Sequence, residues 1–268
     1  MLVDELLGLT SQPDNDNISL SIPKDWTQGR TAFGGISAAL VYQAMRNQIE
    51  PQRVLRSLTT NFVGPLNPQS PFSIKVEILR EGKNATQAEA RAIQDGKVCV
   101  LCVALFAIAR ESKIAVESQT RHNMLLPAKP KFIPQIPKIT PKFLKHVDLS
   151  LAEGGMPFTG SKHSAIHGWM RFTQPPEKIN DAHLIALADA WPPAPLQMLR
   201  WPAPASSMSW NLEFIHPHRT ISPTDWIAYQ AHTRQAADGY AHTEANIWDP
   251  QGELIAISRQ TVGIFDGK

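Results

Sequence analysis

Apolar and polar positions alternate through two long blocks of the chain, and each block follows a segment in which nearly every residue is apolar. Residues 31–49, TAFGGISAALVYQAMRNQI, start with two glycines before their apolar run and hold no proline, the pattern of a buried helix. Strand-like segments follow at 57–63, 72–79, 85–94 and, past an Asp95-Gly96 turn, 97–109. The order then recurs. GWMRFT at 168–173 has strand character, DAHLIALADAW at 181–191 is helical with Asp181 placed to cap it, and strands are expected at 207–215, 225–236, 241–249 and 253–265.

The letters recur with the pattern. Residues 88–106 can be laid on 243–262, with Glu89 on Glu244, Gly96 on Gly252 and one residue inserted at the turn. We read the chain as a tandem duplication, each unit being one helix followed by a four-strand antiparallel run. An antiparallel sheet with one apolar face needs cover, and a helix that is apolar all round supplies it when the sheet curls about it. Two such units would join sheet edge to sheet edge with their helices side by side, an α+β architecture. Between them, 125–145 carries prolines at 127, 130, 134, 137 and 141 and lysines at 129, 131, 138, 142 and 145. Prolines at that density exclude a helix or central strand, so this segment is expected to connect a unit at 1–124 to one at 146–268. A solvated connector outweighs a phosphate-contacting strap.

Length and charge narrow the function. A chain of 268 residues suits two small units sharing a core, and 26 basic against 24 acidic residues leave only +2, which argues for neither nucleic acid nor an anionic membrane as partner. The start, MLVDELLGL, has no basic region, and no apolar run reaches 18 residues, so a cytoplasmic protein without a membrane span is expected. Cys99 and Cys102 have redox-motif spacing, but a strand points positions i and i+3 to opposite faces, which argues against a redox or metal role.

The anomaly in this otherwise ordinary composition is Asp189, within HLIALADAWPP. A carboxylate in such a run is costly unless hydrogen-bonded, and desolvation should raise its pKa toward that of a general base. A structural aspartate satisfied by a backbone amide is the plainer alternative. His163 with His167, and His216 with His218, invite a metal reading, but neither pair has a visible third ligand, so no metal site is expected. There is no GxSxG elbow and no GxGxxG or GxxxxGK[ST] loop, which leaves serine-hydrolase chemistry and nucleotide cofactors without support.

Four stretches carry a resemblance: Trp26 to Leu40 (WTQGRTAFGGISAAL), Ala186 to Ala194 (ALADAWPPA), Ser207 to Pro217 (SMSWNLEFIHP) and Ile257 to Phe265 (ISRQTVGIF). In this order, on a duplicated pattern, they resemble the double-hotdog acyl-CoA thioesterases of the thioesterase II type. The resemblance implies a tandem hotdog fold, hydrolysis of acyl-CoA to free acid and CoA, no cofactor beyond the CoA of the substrate, and assembly into a dimer or larger homo-oligomer. It further implies that Asp189, Ser207 and Gln260 hold the attacking water, with Ser209 competing for the hydroxyl role. Chemically the set is coherent: a carboxylate accepts a proton, and Ser and Gln can donate or accept while positioning water. General-base attack by water and direct attack by the carboxylate both remain open.

The first unit looks catalytically empty, because Gln260 falls on Ala104. Its contribution is expected from Gly34 and Gly35, whose helix-opening amides can face an oxyanion or whose lack of side chain can serve tight packing. Arg30 can meet a phosphate or pair with a carboxylate, and Trp191 can line a pocket or fill the core. A non-catalytic acyl-CoA binder and, less favoured, an enoyl-CoA hydratase are the competing functions. For the hydratase, the one Asn-Pro step, Asn67-Pro68, lacks a following histidine.

Overall fold

A computed structural model describes residues 1–11, 19–130, 132–134, 136 and 140–267. Helix α1 (Val3–Gly8) and two short strands, β1 (Thr27–Gln28) and β2 (Thr31–Ala32), precede helix α2 (Gly34–Arg46). Strands β3 (Val54–Phe62), β4 (Ser73–Glu81), β5 (Ala85–Gln94) and β6 (Lys97–Ala107) complete the first half. The second half holds β7 (Val147–Glu153), β8 (Ala165–Phe172), helix α3 (Asp181–Ala188), β9 (Ala205–Phe214), β10 (Ile227–Ala237), β11 (Tyr240–Trp248) and β12 (Leu254–Ile264). Of these, α1, β1, β2 and β7 escaped the pattern analysis. They are short, or, as in VDLSLAE of β7, leave the polar face half-buried at a sheet edge.

Ten strands form one antiparallel sheet in the order β4-β5-β6-β3-β9-β12-β11-β10-β8-β7. The halves meet at β3 and β9, edge to edge, where Thr59 opposes Asn211. On either side the order mirrors itself, so β3, β4, β5 and β6 correspond to β9, β10, β11 and β12. The correspondence extends to an irregularity. Leu55 pairs with Phe106 and Ser57 with Leu105, leaving Arg56 as the extra residue. Ser207 pairs with Val262 and Ser209 with Thr261, leaving Met208. The next rungs are Leu58 with Ala104 and Trp210 with Gln260. A bulge conserved at the same rung of both copies is a strong mark of duplication, since bulges bend strands in a way the packing must accommodate.

The two helices lie side by side in the concave face. The helix-facing positions of β5 are Thr86, Ala88, Ala90, Ala92 and Gln94, all buried. Alanines there let α2 approach the sheet closely, and the buried Ile36, Ala39, Leu40 and Met45 fill the space between. Hairpin turns follow the chemistry expected of type I′. Asp95-Gly96 and Asp238-Gly239 both have positive φ at both residues, which matches the right-handed strand twist.

Two expectations need correction. The cap of α3 is Asn180 rather than Asp181: its backbone is extended and its side chain accepts from the Ala182 and His183 amides. Asp181 is instead the first helical residue, and its carboxylate accepts from the Tyr42 hydroxyl at 3.1 Å. The connector is also more docked than its composition implied. Just before it, His122 sits edge-on to Trp169 and Trp248, and Met124 packs against the same small cluster; within it, Phe132 meets Trp191 at 5.2 Å. Lys142–His146 form a 3-10 turn in which Phe143 stacks on Phe33 at 3.8 Å and His146 on Trp26 at 4.1 Å. Lys145 pairs with Asp25 at 2.9 Å. Lys131, Pro137 and Lys138 lie outside the described residues.

Cys99 and Cys102 are both buried free thiols. Burial pushes the Cys102 thiol up to about 12, which makes it inert. No helix among the described residues is long and apolar enough to cross a membrane.

Candidate active site

Helix α3 ends at Ala188 because Pro192 and Pro193, just beyond, cannot continue it. Asp189 is therefore the C-cap, with φ −93° and ψ 1°. The helices run antiparallel, so the end of α3 meets the start of α2. A Cβ added at Gly34 would lie 2.8 Å from Asp189 Oδ2 and 3.2 Å from the Phe62 ring, so the missing side chain is what lets the carboxylate in. At Gly35 an added Cβ would strike the Phe33 ring at 2.6 Å and the Ala186 carbonyl at 2.7 Å. Both glycines thus serve close helix packing.

Around Asp189 the polar side chains converge. Gln260, on β12, donates from Nε2 to Asp189 Oδ1 at 3.1 Å. Ser207, on β9, donates from Oγ to Gln260 Oε1 at 3.4 Å, a long bond that leaves the hydroxyl free to turn toward another partner. The backbone amide of Gly35 also hydrogen-bonds to the carboxylate. Burial pushes the Asp189 carboxyl up to about 7, against the opposing effect of the Gln260 and Gly35 hydrogen bonds. Its position at the negative end of α3 acts in the same direction as burial, while the positive end of α2 opposes it. Tyr229, close by, has its phenol pushed up by burial and by the Asp189 charge.

These groups open on a cavity of about 630 Å³ whose wall holds Gly34, Asp189, Ser207 and Gln260 among apolar side chains such as Phe62, Leu66, Phe143, Trp191 and Met208. Trp191 both lines the cavity and packs: it stacks on Tyr229 at 5.8 Å and meets Phe132 at 5.2 Å. Gly168 makes this possible, since a Cβ there would lie 2.4 Å from the indole. Trp169 and Trp210 are core residues, and Trp210 donates to Ser258 Oγ at 2.9 Å.

Not every candidate arrives. Arg30 is exposed in the turn between β1 and β2 and does not line the cavity, although its neighbours Gln28 and Thr31 do. Ser209 is also absent from the wall. Strict alternation would put it on the face of Ser207, but the bulge at Met208 separates the two rungs. The cavity residues that the sequence analysis missed, Phe62, Leu66, Phe143, Phe158 and Phe265, sit at strand ends and in irregular segments. Periodicity carries no signal there.

Comparison with known proteins bears on the fold and the family. Residues 22–107 match the acyl-CoA thioesterase N-terminal domain, and residues 125–264, more than half of the chain, match the acyl-CoA thioesterase C-terminal domain. No curated protein sequence matches significantly. Among solved structures, a hot dog fold protein of unknown function from Alicyclobacillus acidocaldarius superposes with TM-score 0.83 and 23% identity, covering 98% of both chains. The acyl-CoA thioesterase II TesB2 of Mycobacterium marinum does so with TM-score 0.68 and 22% identity over 87% of this chain and 89% of its own. The tesB protein of Mycobacterium avium subsp. paratuberculosis gives TM-score 0.75 and 16% identity over 98% and 99%. The solved structures establish the shared double-hotdog fold, and the two domain matches go further: the chain belongs to the acyl-CoA thioesterase family and is a thioester hydrolase.

Proposed function

We propose that this protein hydrolyses acyl-CoA by attack of a water held among Asp189, Ser207 and Gln260. The observation that carries the reading is the linked set Ser207–Gln260–Asp189 on the wall of a largely apolar cavity. Gln260 uses its amide hydrogen on Asp189 and its carbonyl on Ser207, so it fixes the orientation of both. The ionised Asp189 takes a proton from water as the oxygen attacks the thioester carbon. The tetrahedral intermediate collapses, the C–S bond breaks, and the thiolate leaves to become protonated CoA. A carboxyl near 7 suits this role, because at neutral pH a substantial fraction is ionised while its basicity is high.

The Gly35 amide is already committed to Asp189, so the developing oxyanion is assigned to the preceding amide, Gly34, at the unpaired end of α2. Phe62, Trp191 and Met208 surround the acyl chain. Released thiol from a panel of acyl-CoA chain lengths tests the assignment. Asp189→Asn should lose on the order of 10²- to 10⁴-fold in kcat. Parent-like hydrolysis by that variant would remove Asp189 from the mechanism.

A further inference from the structure

At the far end of the helix pair a second polar cluster forms. Among the described residues, one group of three metal-competent side chains comes together: Asp181, His216 and His218, with ligand atoms all within 4.8 Å of one another. Asp181 opens α3, and the two histidines follow the end of β9. All three are partly exposed, so water can complete a coordination shell.

The surrounding bonds prepare these groups as ligands. His218 Nδ1 lies 2.8 Å from the Arg219 carbonyl and must donate to it, which leaves Nε2 with a free lone pair. His216 Nε2 is buried without a hydrogen-bond partner. The Tyr42 hydroxyl holds Asp181 Oδ2 and so orients the carboxylate. A carboxylate fixed from behind and imidazoles anchored through the backbone are the usual outer contacts of a bound ion. Ligands of one ion with bonds of about 2.1 Å sit roughly 3 to 3.5 Å apart, so the cluster needs to close by about an ångström, a change within side-chain rotation. Arg46 and Arg56 carry positive charge toward the group. Arg46, however, is held by the carbonyls of Ile49, Glu50 and Arg53 at the end of α2.

From this geometry we propose that Asp181, His216 and His218 bind one divalent transition-metal ion, clipping the start of α3 to the exit of β9. Two imidazoles favour zinc-like ions over magnesium or calcium, which prefer oxygen ligands. The third ligand is what the sequence concealed: Asp181 precedes His216 by more than thirty residues, and only the tertiary fold brings the start of α3 to the residues that follow β9. The ion would act as a structural clip. Eight residues of helix separate Asp181 from Asp189, about 12 Å at 1.5 Å per residue, so the chemistry of thioester cleavage does not pass through it.

The test is a Co²⁺ titration of the tag-free full chain, read by visible absorption, with Zn²⁺ as competitor. One equivalent of Co²⁺ with d–d bands, displaced by Zn²⁺, is expected. His216→Ala and Asp181→Asn should each weaken it at least tenfold, and Tyr42→Phe, which keeps the ring in the core, by about tenfold. His232→Ala serves as the competing arm, because His232 meets His167 at 3.2 Å beside Glu153 and so forms another histidine pair among the described residues. It should leave the titration unchanged. Absence of binding by the parent, equal affinity in His216→Ala, or loss confined to His232→Ala would each overturn the proposal. Cooperative thermal unfolding of Tyr42→Phe at the parent's temperature without metal separates lost ligation from lost folding.

Discussion

The two ends of the helix pair are counterparts under the duplication, yet they hold different chemistry. At one end, the close of α3 meets the start of α2, and Asp189 faces Gln260 and Ser207. At the other, the start of α3 meets the later turns of α2, and Tyr42 and Asp181 stand there instead. The rung-by-rung correspondence places Leu55 and Ala104, both buried, where the second unit has Ser207 and Gln260. One cleft keeps hydroxyl, amide and carboxylate on a cavity. In the other, apolar side chains fill the same rungs. Duplication thus supplied two equivalent frames, and a few side chains decided which of them holds a polar-lined cavity.

The sharpest way to break the comparison is to neutralise its polar end. Asp189→Asn should abolish most thiol release, a loss of 10²- to 10⁴-fold, while the corresponding far-end change Asp181→Asn leaves kcat/KM for acyl-CoA within about twofold. Comparable losses in both would erase the distinction. Next in size, Gln260→Ala removes a donor to Asp189 and the link to Ser207, with an expected fall in kcat of about 10²-fold. The lost hydrogen bond had lowered the carboxyl pKa, so the acid limb of the remaining activity should move to higher pH. Gly34→Ala should cost roughly 10- to 100-fold in kcat and lower the unfolding temperature, because its Cβ meets the carboxylate and the Phe62 ring.

Smaller effects concern protons. If ionised Asp189 is the base, kcat/KM should decline about tenfold per unit below pH 7 and level off above it. The same group makes a stability prediction of definite sign. Its folded pKa is about 7 and the ordinary value 3.8, so the folded state binds the proton more tightly. Stability contributed by the protonated form is present below pH 4 and is lost as pH rises toward 7. Asp189→Asn should therefore unfold at higher denaturant than the parent at pH 8, by roughly 1–4 kcal/mol, and show little advantage at pH 4. A parent as stable as the variant at pH 8 would mean that the carboxylate is better solvated than its burial implies.

Much of this architecture is legible in the sequence. The two helices, nine of the ten strands of the large sheet running beside them, and the duplication all follow from periods and turn residues, because burial on one face imprints itself on every second or every third to fourth position. Asp189 was legible as a charge in the wrong company, and Gln260 and Ser207 through resemblance. Where the reading slipped, a local irregularity was responsible. Asn180 rather than Asp181 caps α3, because capping depends on which residue takes the extended backbone. The bulge at Met208 separates Ser207 from Ser209, although alternation treats them alike. Arg30, in a conspicuous motif, turns out exposed and off the cavity wall.

By itself the sequence determined the architecture: apolar periodicity, Asp-Gly turns and the repeated segment leave little choice but helix-backed antiparallel sheets in tandem. Tertiary structure alone decided the distances. Whether Gln260 reaches Asp189, which serine lies at its side, and whether Asp181 finds His216 and His218 depend on how α3 seats against α2 and the sheet. That seating is set by packing contacts between residues far apart in the chain, such as the missing side chain at Gly34 that admits a carboxylate, and no local pattern encodes them.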